Sequence, residues 1–146
     1  MLSYFRICFA FILFSAVAQA APGKPFPVGY WYCESTQDGE KVFSIMHYKG
    51  DGSFVADFRE CRPNWTRLDP ESGHWSIAGD RLLATTEIVM GNTVQFSDEY
   101  QVVSYDGHVW LSRLVGGDEM QAHGGSTFKL VRVTADSRLP DCDQLS

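Results

Sequence analysis

Apolar and polar positions alternate along most of the chain. Trp75 and Ile77 stand two apart, as do Phe54, Ala56 and Phe58. Phe96, Asp98, Tyr100 and Val102 form a third set, and Phe128 and Leu130 a fourth. A period of two places each set on one face of a strand. Glycine turns such as Gly50-Asp51-Gly52, Gly79-Asp80, Gly91-Asn92 and Asp106-Gly107 punctuate these runs. Strands joined by hairpins have this signature. The pattern predicts eight strands, at 28–36, 41–49, 53–60, 73–77, 82–89, 94–104, 108–114 and 127–134. No segment holds a 3.6-residue apolar period long enough for a helix. The connections are too short for parallel crossovers, so neighbouring strands are antiparallel. The predicted class is all-β, an eight-stranded antiparallel up-and-down barrel that closes and removes its edges. A two-sheet sandwich is the alternative.

Residues 61–72 interrupt the alternation. Two prolines, an asparagine and two arginines predict an irregular loop, and Trp65 and Leu68 are large apolar residues for one. Such a loop is a candidate binding element, or Trp65 plugs one end of the barrel. The N-terminus has a different character. Arg6 precedes an apolar run rich in Phe, Ile and Leu, and Ala18-Gln19-Ala20 follows as a small-x-small site. Residues 1–20 therefore read as a secretory signal peptide. Residues 21–27 form a proline-rich leader, 28–134 the barrel domain and 135–146 a C-terminal tail. No second long apolar stretch follows, so no membrane span is expected once the signal is cleaved.

Two motifs carry a resemblance. Gly29-Tyr30-Trp31 on the first strand resembles the Gly-x-Trp motif of lipocalins and lipocalin-like barrels. Phe128-Lys129-Leu130-Val131-Arg132-Val133 is similar to their closing strand, whose arginine packs over that tryptophan. The hairpins around Gly50-Asp51-Gly52 and Gly79-Asp80 look like those of small bacterial lipocalin-like domains. The resemblance implies a lipocalin-like barrel with Arg132 over Trp31 as a structural seal, and Trp75 as a further structural residue. First and last strands are neighbours in a closed barrel, which makes the Arg132–Trp31 contact physically reasonable.

Charge and cysteine content narrow the function. With 12 Lys+Arg against 18 Asp+Glu, the chain has a net charge of −6. No basic cluster appears, so nucleic acid is not an expected partner. Outside the signal region stand Cys33, Cys61 and Cys142. An exported chain permits a disulfide. Cys33–Cys61 is the expected pair, provided that the 61–72 loop folds over the barrel end; the pairings with Cys142 remain open. A leftover Cys142 would allow a crosslinked dimer in place of a monomer.

Catalytic motifs are missing from the sequence. The four histidines lack metal-site spacing, and there is no Cys-x-x-Cys, His-Glu-x-x-His or Gly-x-Ser-x-Gly. No catalytic residue, metal or cofactor is therefore expected. Asp98 shares a face with Phe96 and Tyr100, where an inward carboxylate needs a partner such as an arginine. The expected function is a non-enzymatic binding module, secreted or periplasmic. It would bind a small apolar or amphipathic ligand through Phe54, Phe58, Trp65, Phe96, Asp98 and Tyr100. The alternative is a protein–protein module that binds an envelope or secreted protein through the 61–72 loop, an enzyme inhibitor or assembly factor among them.

Overall fold

The computed structural model describes residues 27–37, 39–63 and 65–145. The expected signal peptide and nearly all of the leader lie outside them. Eight strands follow in chain order: β1 (Gly29–Gln37), β2 (Glu40–Tyr48), β3 (Ser53–Arg62), β4 (Trp65–Ala78), β5 (Arg81–Val89), β6 (Asn92–Tyr105), β7 (Val109–Gly117) and β8 (Thr127–Val133). Each pairs antiparallel with the next, and β1 pairs with β8, so the sheet closes into an up-and-down barrel. The sandwich alternative falls with that closure. Between β7 and β8 lies one turn of helix, α1 (Met120–His123), too short to leave a helical period in the sequence. Among the described residues, no helix is long and apolar enough to cross a membrane.

Alternation decides what lies inside. Trp31, Cys33, Tyr48, Phe54, Ala56, Leu82, Ala84, Trp110 and Leu130 form one buried cluster, with Phe58, Trp75, Tyr100 and Phe128 packed against it. Each comes from the inward face of its strand, as the period of two requires. Ile77 is the exception. It shares a face with Trp75 but lies near the end of β4 and is exposed.

The closed end is built around Trp31, which is fully buried. Trp31 and Arg132 are direct partners in the β1–β8 register. The Arg132 guanidinium carbon lies 4.3 Å from the centre of the Trp31 ring. Its N–H groups donate to the Gly107 and Val28 carbonyls and the Tyr105 hydroxyl at 2.8, 3.1 and 3.0 Å. A Cβ at Gly29 would strike Arg132 Nη1, and Gly29 sits at φ +129°. That accounts physically for glycine two positions before the tryptophan. Trp31 donates through Nε1 to the Pro27 carbonyl at 2.6 Å. Trp110 stands edge-on to it with ring centres 5.7 Å apart. Trp75 closes the same end, donating to the Lys49 and Ser53 carbonyls at 3.1 Å each.

The 61–72 segment corrects the sequence expectation. It is a hairpin that lengthens β3 and β4, with Arg62 opposite Trp65 and Asp57 opposite Pro70. Pro70 fits because of where its missing N–H would point. Its carbonyl accepts from the Met90 N–H at 2.8 Å, on the side facing β5. In a strand, N–H and C=O of one residue point the same way. The absent donor therefore faces the β5 side, just beyond the first β4–β5 pair, Glu71 with Val89. The β3 ladder loses nothing.

The disulfide is likewise different from the expected Cys33–Cys61 pair. Cys61 bonds Cys142, with Cα atoms 5.5 Å apart. Cys33 is a buried free thiol inside the barrel, on a strand whose partners are β2 and β8. Cys61 ends up on the outside of the β3–β4 hairpin, which the tail reaches. Arg59 fixes that tail by donating to the Leu139 and Pro140 carbonyls at 3.3 and 2.6 Å and pairing with Asp141 at 3.0 Å. Cys142 is thus taken within the chain and is not free to crosslink a dimer. A disulfide of this kind belongs to an oxidising, exported environment.

Candidate functional site

The barrel encloses a cavity of about 290 Å³. Its deep end is apolar, lined by Tyr48, Phe54, Leu82, Trp110 and Leu130. Phe58, Phe96, Tyr100 and Phe128 form its walls. Tyr100 and Phe128 meet edge to face with ring centres 6.2 Å apart. Burial pushes the Tyr48 and Tyr100 hydroxyls above the ordinary phenol range, so both stay neutral.

The mouth opens beside the β1–β2 and β3–β4 hairpins and the β7–β8 connection. Glu60, Asp69, Glu71, Asp98, Glu119 and His123 line it. Two strands supply three of these by continued alternation: Glu60, two residues beyond Phe58 along β3, and Asp69 and Glu71 along β4. The β7–β8 connection supplies Glu119 and His123, and backbone bonds hold it to β6. The Asp118 N–H donates to the Ser97 carbonyl at 2.9 Å. The Ser97 N–H in turn donates to Asp118 Oδ2 at 2.7 Å.

Asp98 is only 4% exposed. Its partner is not an arginine, as the sequence had suggested, but the Glu119 N–H, which donates to Oδ1 at 2.8 Å. Burial pushes its carboxyl above the usual carboxylate range, and the nearby Asp118 adds to the effect. Glu71 is displaced further, up to about 7. Burial is the main cause, followed by repulsion from Asp69, Glu119 and Asp98. Glu60 is compensated by Arg62, whose guanidinium lies 2.5 Å away. The Cys33 thiol also lines the cavity; burial, with some help from Glu34, pushes it up to about 11.

Of the residues expected to bind a ligand, Phe54, Phe58, Phe96, Asp98 and Tyr100 come together around this one cavity. Trp65 opens β4, opposite Arg62 in the register, and its side chain lies outside what the structure describes. Sequence reading missed Glu71, Asp69, Glu119 and the buried hydroxyls of Ser44, Thr86 and Ser112. A signal for the first two existed. Extending the alternation backward from Trp75 through Gly73 reaches Glu71 and Asp69. The apparent loop at 61–72 concealed it. The chain matches no protein-family model, and no curated protein matches it.

Proposed function

We propose that this protein is an exported, non-enzymatic binding module of lipocalin-like type, secreted or periplasmic, which holds one small amphipathic molecule in the barrel lumen. The observation that carries the proposal is the cavity itself. Five residues singled out as ligand-binding from alternation line one space of about 290 Å³, apolar at depth and polar at the mouth. Ligand sites have this composition, an apolar lining with a few placed polar groups, and span roughly 300–1,000 Å³. The cavity is at the small end of that range. Kinship with lipocalin-like barrels is supported by closure of β1 on β8 and by Arg132 over Trp31.

Native mass spectrometry of the protein purified from its own envelope or medium tests the proposal. The expected result is extra mass that disappears on denaturation and whose value identifies the ligand class. The bare protein mass, together with an unchanged melting temperature across a panel of small amphipathic molecules, would refute it.

A further inference from the structure

The lumen carries more chemical information than an apolar pocket needs. Among its lining residues are Glu71, Asp98 and Glu119, and none of the described lining residues is a lysine or arginine. Among the described lining residues, His123 is the one basic side chain, and it lies 3.6 Å from Glu119. A negatively charged ligand would meet Glu71, Asp98 and Glu119 in a partly dehydrated mouth, where repulsion is stronger than in water.

A second, independent observation comes from hydroxyl groups deeper in the lumen. Ser44, Thr86 and Ser112 line the cavity and are 6%, 5% and 2% exposed. Among the described residues, none of these hydroxyls has a hydrogen-bond partner. Buried polar groups are ordinarily partnered, so three open hydroxyls around one space point to a polar group held there. Ionised carboxylates only accept, and hydroxyls can accept as well as donate. A donor with positive charge suits both. Among the described residues, no three His, Cys, Asp or Glu side chains converge to hold a metal ion. The charge then belongs on an organic group, and the aromatic walls suit its apolar body and the face of a cation.

Resting on the lumen as a ligand site, we propose that the ligand is a small organic cation, an ammonium group carried on an aromatic or short aliphatic body. The ammonium sits between Glu71 and Asp98, and the body lies on Phe58, Phe96, Tyr100 and Phe128. Protonation is coupled to this arrangement. The groups facing Glu71 are Asp69, Asp98 and Glu119, with the Glu60–Arg62 pair and His123 at the same mouth. A bound cation offsets the burial and the weaker repulsion that together keep Glu71 protonated. Binding therefore expels a proton and tightens as pH rises through 7.

Calorimetric titration with three probes of matched shape tests the inference: 2-phenylethylamine, neutral 2-phenylethanol and anionic 3-phenylpropionate. The amine should bind at least about tenfold tighter than the alcohol at about pH 8. That advantage over the alcohol should shrink at about pH 5 and in Glu71→Gln and Asp98→Asn. Equal binding of all three probes, or preference for the alcohol or the acid, would overturn the cation while leaving the lumen as the binding site. Failure of all three at millimolar concentration, with the fold intact by circular dichroism, would overturn both.

Discussion

Glu71 offers the sharpest test of the electrostatics, because its effect on stability has a definite sign and pH window. Its carboxyl titrates near 4.5 in the unfolded chain and at about 7 in the barrel. Below about pH 4.5 it is protonated in both states and folding incurs no charge penalty. Between 4.5 and 7 the unfolded chain releases the proton and the native state keeps it. The native state then binds more protons, so stability falls as pH rises. Above 7 both forms are ionised and the loss is complete. At about 1.4 kcal/mol per pH unit, the displacement sets a ceiling of about 3 kcal/mol. Glu71 is half-buried, so water screens part of this, and we expect about 1–2 kcal/mol. Glu71→Gln keeps the shape of the protonated carboxyl and removes the titration. Urea unfolding with the disulfide intact should show the variant equal to wild type at about pH 4 and more stable by about 1–2 kcal/mol at about pH 8. A difference constant across that range, or a variant less stable at pH 8, would refute the reasoning.

Three further predictions follow from the packing and the thiols. Trp31→Ala removes a fully buried ring stacked against Arg132 and edge-on to Trp110; thermal unfolding should show a loss of about 3–5 kcal/mol, and a near-normal melting temperature would contradict its placement. Cys142→Ser opens a crosslink spanning 81 residues. Chain entropy puts the stabilisation at up to about 4–5 kcal/mol, so the variant's urea midpoint should fall well below wild type, and an unchanged midpoint would mean that the bond is not formed. Cys33 is buried with its thiol pushed up to about 11; mass spectrometry should find it alkylated by iodoacetamide only after unfolding, and rapid labelling of the native protein would place it elsewhere.

Much of the architecture could be read directly from alternation. Strands with one face toward a core repeat every two residues, and β1 to β3 and β5 to β8 do so plainly enough to locate them and their inward sets. The failure at 61–72 has a local cause. Pro63 and Pro70 are strong strand breakers in isolation, and a single sequence does not reveal on which side of a strand a missing N–H will fall. Only the β3–β4 register and the end of β5 show that Pro70 sits where no donor is needed. The disulfide failed for the opposite reason. Pairing depends on where a tail twelve residues long comes to rest, and that is decided by Arg59 on the outside of β3, with no periodic signal to announce it.

The two ends of the barrel divide the energetic work. At the closed end, every polar group of Arg132 and the indole N–H of Trp31 that enters the seal finds a partner, and the large rings pack edge to face. That end is where sequence and structure agree best, because packing and register reinforce one another. At the mouth the same alternation turns carboxylates inward, where burial and mutual repulsion disfavour their charge. Packing alone would favour apolar residues at Glu71 and Asp98, since an unpaired buried charge costs stability that a hydrophobic side chain does not. The nearby Cys61–Cys142 crosslink and the Arg59-anchored tail brace the β3 and β4 strands that carry Phe58, Glu60, Asp69 and Glu71. A barrel that needed only to fold gains nothing from carboxylates turned inward at its mouth or from open hydroxyls deeper in its lumen. Such a lining held in a braced frame is what the proposed cationic, hydrogen-bond-donating ligand would use.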